Sequence, residues 1–178
     1  MTDELLFKNL DLIDTFEAPY CIVNNTLLSL YRDGKLFPIK EKECVILIPA
    51  ALRFKARNHQ NFRYEMFALS GLGDVQLEYR ICLIFYTEIG DLIVTNPYMD
   101  NFYVYPKSII YPHIGLKLND RIIPAPADIE RYLTMFYGDW KTPVPEDKWD
   151  WAEHSPGIIK ALSIDEAVTK YKQQYEQT

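Results

Sequence analysis

Hydrophobic side chains near the start of the chain recur at the spacing of an amphipathic helix. The apolar positions between residues 3 and 17 are Leu5, Leu6, Leu10, Ile13 and Phe16. They fall on one side of a helix with 3.6 residues per turn, and the acidic residues come early, where the helix dipole favours negative charge. We therefore predict a helix over residues 3–17 that ends before Pro19.

A shorter helix, a charged cluster and a strongly apolar strand follow, and the rest of the chain is organised around them. Thr26 is placed to cap the helix, and Gly34 suits the left-handed conformation that ends it. Residues 40–43, Lys-Glu-Lys-Glu, form the charged cluster. The continuous apolar run of residues 44–48, CVILI, is typical of a strand that is covered on both faces.

Six further segments have the composition of β-strands. They are residues 62–69, 75–87, 91–96, 103–106, 114–118 and 121–123. Residues 88–91, Glu-Ile-Gly-Asp, predict a hairpin turn between the second and third of these segments. A turn at residues 119–120 makes the last two segments antiparallel partners.

Two helices are predicted in the last third of the chain. Residues 124–128 lead rigidly into the first, and Gly138 suits a left-handed cap at its end. Ser163 and Glu166 form a capping box for a C-terminal helix, residues 162–177. The pattern predicts an α+β fold in a single domain, residues 1–178, with a mixed sheet, helices packed mostly on one side and the added C-terminal helix.

Composition narrows the classes of partner. The 178 residues carry a formal net charge of −6 and are 48% hydrophobic, as in ordinary globular proteins. An acidic chain argues against a general nucleic-acid-binding surface and against a polybasic membrane patch. It does not exclude a nucleotide, because one small cationic pocket is enough to bind it.

The cysteines and the chain start bear on the compartment. Cys21, Cys44 and Cys82 lie in apolar runs without metal-ligand spacing, which predicts buried thiols in a reducing environment. The acidic N-terminal segment has no signal-peptide pattern, and no apolar run approaches the roughly 18 residues of a membrane span. We therefore expect a cytoplasmic protein without a transmembrane helix.

Two separated segments resemble one family. Residues 26–38, TLLSLYRDGKLFP, resemble the opening motif of the LicD/fukutin nucleotidyltransferases. Residues 102–140 contain, in the family's order, an aromatic-proline pair, a hydrophobic strand, Ile-Pro-Ala-Pro, a helix and Tyr-Gly-Asp-Trp. The resemblance covers about residues 5–150 and implies a polymerase-β-like nucleotidyltransferase fold.

The resemblance also implies a chemistry. Members of this family are transferases that move phosphocholine or related groups from a nucleotide-linked donor to surface glycans or glycolipids. Two carboxylates at i and i+2 on one strand, with a third from a neighbouring strand, hold Mg²⁺ against the donor phosphates. The positions implied for nucleotide binding are Asn25, Thr26, Arg32 and Lys42.

The residues that carry this chemistry differ from the family's pattern. Counted from Pro38 without a gap, the two metal-binding acids correspond to Lys42 and Cys44, and the third corresponds to Leu83. The glycine that approaches the phosphates is replaced by Asn25. Neither a charged lysine nor a thiol is a good ligand for Mg²⁺, so no metal is expected at these three positions.

One alternative keeps a metal site. Glu41 and Glu43 also stand at i and i+2. A register shifted by one residue would place both carboxylates on the face where the family binds Mg²⁺. Local charge balance with Lys40 and Lys42 at a solvated strand start explains the same residues without a metal. Two hypotheses follow. The first is a divergent transferase that uses Glu41 and Glu43 or a metal-independent scheme, and the second is a pseudoenzyme that recognises a nucleotide or a protein partner.

Overall fold

The computed structural model describes residues 2–36, 44–77, 81–145 and 155–175. Helices are α1 Asp3–Asp14, α2 Asn24–Asp33, α3 Arg53–Arg57, α4 Lys107–Ile110, α5 Ile129–Tyr137 and α6 Ile164–Tyr175, with a 3-10 helix at Ala50–Leu52. Strands are β1 Cys21–Ile22, β2 Cys44–Pro49, β3 Phe62–Glu65, β4 Val75–Leu77, β5 Ile81–Ile89, β6 Leu92–Tyr98, β7 Asn101–Pro106, β8 Ile114–Leu118, β9 Arg121–Ala125 and β10 Ile159–Lys160.

The main sheet is mixed, and β5 is its centre. Its strand order is β1-β2-β5-β6-β7-β10, and β2 runs parallel to β5 while the other neighbours along this path are antiparallel. On the side away from β2, the first part of β5 pairs with β4 and the last part pairs with β6. Strands β8 and β9 form a separate hairpin. The predicted α+β class with a mixed sheet is confirmed.

The predicted strand over residues 75–87 is wrong in one respect, because this segment contributes two strands. Val75 pairs with Leu83 and Leu77 pairs with Ile81, so β4 folds back antiparallel on the start of β5. Residues 78–80, between the two strands, lie outside the described residues. No glycine or proline stands between the two strands in the sequence, so no turn was predicted there.

Helices cover the two faces of the sheet at β7. The rings of Tyr103 and Tyr105 pack on Phe136 and Tyr132 of α5, with centroids 5.1 and 6.0 Å apart. The alternate residues of β7 belong to a second apolar cluster with α6, because successive side chains of a strand point to opposite faces. The predicted C-terminal helix therefore lies on the opposite face of this strand from α5.

Helix ends are partly as predicted. Gly34 ends α2 with φ 63° and ψ 12°, the left-handed conformation expected of it. Gly138 also has a positive φ, 67°, but its ψ of −117° lies outside the left-handed helical region, so that prediction is wrong in detail. The capping box is confirmed in one half, since Ser163 Oγ accepts from the Glu166 N–H, whereas the Glu166 carboxylate accepts from the N–H of Leu162, the residue before the N-cap.

The three cysteines are buried thiols, as predicted. Burial raises the pKa of Cys21, and it raises the pKa of Cys44 to about 12. Both thiols are therefore protonated near neutral pH. Within the described ranges, no helix combines the length and the apolar character needed to cross a membrane.

Candidate functional site

Thr26 joins helix α2 to the start of strand β2. The prediction that it caps α2 is wrong, because the helix begins at Asn24 and its N-cap position is Val23. Thr26 Oγ1 instead accepts a hydrogen bond from the Val45 N–H at 2.9 Å, and the residue is only 1% exposed. The ladder between β1 and β2 pairs only residues 21 and 22 with residues 47 and 46. The Thr26 side chain therefore supplies the acceptor that the Val45 N–H needs beyond the end of this ladder.

The two asparagines before Thr26 also bond within the protein. Asn24 has a positive φ of 49°, a conformation that asparagine tolerates better than most residues. Its Oδ1 accepts from the Tyr132 hydroxyl of α5 at 2.7 Å. Asn25, half-buried in the first turn of α2, has its Oδ1 3.4 Å from the Thr26 hydroxyl that donates to it.

Arg32 connects the two segments on which the family resemblance depends. Its guanidinium donates to both carboxylate oxygens of Asp33, at 2.8 and 2.9 Å, and to the Trp140 carbonyl at 3.2 Å. The hydrogen bonds from Arg32 hold the pKa of the Asp33 carboxyl below its usual range. The ring of Trp140 packs on Tyr31, with centroids 5.7 Å apart. The predicted nucleotide-binding arginine thus fixes the segment after α5 against α2.

Two positions that the resemblance assigns to metal-binding acids lie in the core. Cys44 and Leu83 are both 0% exposed. In the parallel pair of β2 and β5, Ile46 is the partner of Leu83, so Cys44 and Leu83 share one face of the sheet. Neither side chain reaches a surface at which a metal or phosphate is accessible. Glu41, Lys42 and Glu43 lie outside the described residues, so their roles stay predictions.

A small cavity lies on the other face of the sheet, beside Ile84. Its remaining walls come from the N-terminus of α2, from β6 and β7 and from α5, and its lining residues are Asn24, Ile84, Thr95, Pro97, Tyr103, Tyr105, Tyr132, Met135 and Phe136. The volume open to water is about 20 Å³, which holds about one water molecule. The tyrosine rings fill the space between α5 and the sheet, so a nucleotide does not fit there in this conformation.

No cluster of three His, Cys, Asp or Glu side chains suited to a metal ion occurs among the residues that the structure describes. Because the charged cluster of residues 40–43 falls outside those residues, this finding does not test the Mg²⁺ alternative at Glu41 and Glu43. A site formed there would require the segment between α2 and β2.

Comparison with solved structures shows a likeness in fold. No family model matches the chain, and no curated protein matches it. A solved structure of the lincosamide antibiotic adenylyltransferase LnuA with lincomycin bound is similar, with a TM-score of 0.46 and 16% sequence identity over 71% of this chain and 80% of that chain. At this level of identity the likeness concerns the fold alone.

Sequence reasoning missed an open groove at the opposite end of β2. The groove has a volume of about 480 Å³, and its lining residues are Pro19, Pro49, Ala50, Ala51, Tyr86, Thr87, Glu88, Lys107 and Tyr111. Lys107 donates to the carboxylate of Glu88, and the hydroxyls of Tyr86 and Tyr111 are hydrogen-bonded to each other. These contacts join residues up to 25 positions apart in the sequence. A local sequence motif therefore does not predict them.

Proposed function

We propose that this chain is a divergent, LicD-like relative of the nucleotidyltransferases that binds a nucleotide or a nucleotide-linked ligand without metal-dependent transfer. The burial of Cys44 and Leu83 carries this proposal. Two of the three positions that would need carboxylates hold uncharged side chains inside the core. A carboxylate at either position would be removed from water, which is costly unless a cation or hydrogen-bond donors compensate for it.

The contact between the two resembling segments supports the family part of the proposal. The Arg32 guanidinium reaches the Trp140 carbonyl across 108 positions of sequence. Asn24, next to the opening motif, reaches Tyr132 across the same number of positions. Segments that share a family's order in sequence and also meet in space are expected if the family's scaffold is retained.

A second candidate function is a divergent transferase. The spacing of Glu41 and Glu43, directly before a buried strand, favours it, since residues at i and i+2 of a strand share one face. In this case the two carboxylates would hold Mg²⁺, the donor would be nucleotide-linked and the acceptor would be a glycan, as the resemblance implies.

Calorimetric titration with CTP, UTP, ATP and their choline or sugar conjugates, with and without Mg²⁺, tests both functions. We expect at least one nucleotide to bind with an affinity that Mg²⁺ changes by less than about threefold, and we expect no product. The double variant Glu41→Gln/Glu43→Gln should bind as the wild type does. Glu4→Gln/Glu17→Gln, which alters two exposed acids elsewhere, is the matched control.

Two outcomes contradict the proposal in different ways. Mg²⁺-dependent turnover that is lost in Glu41→Gln/Glu43→Gln but kept in the control variant assigns the transferase function instead. If no nucleotide or conjugate binds under either condition, both nucleotide functions are wrong, and a protein partner is the pseudoenzyme role that is left to test.

A further inference from the structure

The groove at the carboxyl end of β2 exists because two parallel strands end at different levels. Strand β2 ends at Pro49, which pairs with Tyr86, whereas β5 continues to Ile89. Within the described residues, this extension of β5 pairs with β6 alone. The chain turns away from β2 into the 3-10 helix Ala50–Leu52, so one side of the β5 extension borders open space.

One wall of the groove is apolar and built from small residues. Pro49, Ala50 and Ala51 form it together with Pro19, from the loop between α1 and β1. These side chains offer no hydrogen-bonding groups and leave the volume of about 480 Å³ unfilled. Volumes of about 300–1,000 Å³ are typical of pockets that bind small molecules. The wall suits an apolar portion of a ligand.

Two neutral phenols lie beside this wall. Tyr86 is 5% exposed, and its hydroxyl is hydrogen-bonded to that of Tyr111. Burial is the largest cause of the raised pKa of both phenols, so neither is charged near neutral pH. The ring of His113 stacks on Tyr111 with centroids 4.7 Å apart and holds that ring in place. These groups add hydrogen-bonding capacity without adding charge.

A pair of opposite charges lies at the rim. Lys107 at the start of α4 donates to Glu88 on the β5 extension, and their side chains are 39% and 41% exposed. A simple anion that approaches Lys107 is repelled by Glu88, and a simple cation that approaches Glu88 is repelled by Lys107. A ligand that carries both charges can satisfy both groups at once.

We propose that this groove binds a free α-amino acid with an apolar side chain. The ligand ammonium contacts the Glu88 carboxylate, the ligand carboxylate contacts the Lys107 ammonium, and the side chain lies against Pro49, Ala50 and Pro19. The site is separate from the candidate nucleotide site near Thr26, because the two lie at opposite ends of β2. It does not depend on the function proposed above.

Calorimetric titration of the full chain with leucine and phenylalanine, against three analogues, tests the charges and the apolar wall together. N-acetyl-leucine lacks the ammonium, leucine amide lacks the carboxylate, and glycine lacks the side chain. We expect each analogue to bind at least about tenfold more weakly than leucine, since a charge-assisted contact or a buried side chain is lost. Inorganic phosphate should not bind.

Variants locate the site. Glu88→Gln and Lys107→Met each remove one charge, while Ala51→Phe fills the groove from an exposed position without changing charge. All three should weaken leucine binding at least about tenfold. The matched control is Glu130→Gln/Lys141→Met, which removes an exposed ion pair on another part of the surface and should leave binding unchanged.

The proposal is wrong if neither leucine nor phenylalanine binds at about 10 mM, or if the capped analogues bind as well as leucine does. It is also wrong if Ala51→Phe binds like the wild type, because the ligand would then lie elsewhere. Should a charge variant fail to fold in a thermal unfolding measurement, the analogue series on the wild-type chain still decides.

Discussion

At the amino end of β2 the described polar side chains of residues 24–26 are buried or half-buried, whereas at its carboxyl end charged and phenolic groups line an open groove. Thr26 is 1% exposed and bonds to the strand backbone, and Cys44 is fully buried. Glu88 and Lys107, at the other end, are each about two-fifths exposed. Among the described residues, the charged side chains at the groove are therefore more exposed than Thr26 and Cys44 at the other end.

The two ends differ in how their residues were recognised. The residues that resemble a transferase motif now hold α2, β2 and the segment after α5 together. The groove, in contrast, matches no motif and is formed by side chains from four separate parts of the chain. The following predictions test two points. The first is whether the residues near the amino end of β2 stabilise the fold, and the second is whether pH affects stability through the residues beside the groove.

The largest effect should come from placing an acid at the buried position 83 on β5. Leu83→Asp places a carboxyl group in a site with 0% exposure, and the lost apolar contacts add to the desolvation cost. We expect the free energy of unfolding to fall by at least about 4 kcal/mol, measured by urea denaturation.

Leu83→Met is the matched control, because it nearly conserves volume and should cost less than about 1.5 kcal/mol. If Leu83→Asp folds with wild-type stability and gains affinity for Mg²⁺, the amino end of β2 is a latent metal site and the contrast between the two ends is wrong.

A smaller loss is expected from removing the acceptor at the sheet edge. Thr26→Val keeps the shape of the side chain but leaves the Val45 N–H without its acceptor in a buried position. This should lower the free energy of unfolding by about 1–3 kcal/mol. Thr26→Ser retains the hydroxyl, and hydrogen exchange at the Val45 amide should be fast in the valine variant and slow in the serine variant. Equal exchange in both variants would contradict the structural role.

Arg32→Lys should have a lesser effect. Lysine cannot reproduce the paired contacts with Asp33 together with the contact to the Trp140 carbonyl. Because the carboxylate partner is partly exposed, we expect a loss of at most about 1 kcal/mol in the free energy of unfolding. Arg131→Lys, on an exposed part of α5, is the control. Unchanged stability with a loss of nucleotide binding would instead assign Arg32 to the ligand.

Much of the fold could be predicted from the sequence because its signals are local. Five consecutive apolar residues identified β2, Gly34 identified the end of α2, and Ser163 with Glu166 identified the start of α6. The antiparallel pairing of β4 with β5 was missed because residues 75–87 have the composition of a strand and contain no glycine or proline. Such pairing depends on contacts between strands, which a single sequence does not display.

The candidate site could be predicted far less well. The resemblance placed Thr26 and Arg32 near a site, but not the hydrogen bonds that occupy them, since the partner of Arg32 lies 108 residues away. No binding role was predicted for Glu88 or Lys107, because isolated charged residues are common at strand ends and helix starts. Their possible role in binding becomes visible only in the structure, where β5 extends beyond the end of β2 and both residues lie beside a groove.

The smallest predicted effect concerns pH at the groove. Burial lowers the pKa of His113, whose ring stacks on Tyr111, so the unfolded chain binds this proton more readily than the folded chain. Stability from neutral His113 is therefore present above its unfolded pKa of about 6.5 and decreases as pH falls through that value. Between pH 8 and pH 5, His113→Phe should lose less stability than the wild type, by under about 1 kcal/mol, in paired urea denaturation curves. An identical pH dependence in both chains would mean that His113 is as solvated when folded as when unfolded, and that its stacking on Tyr111 does not shield it from water.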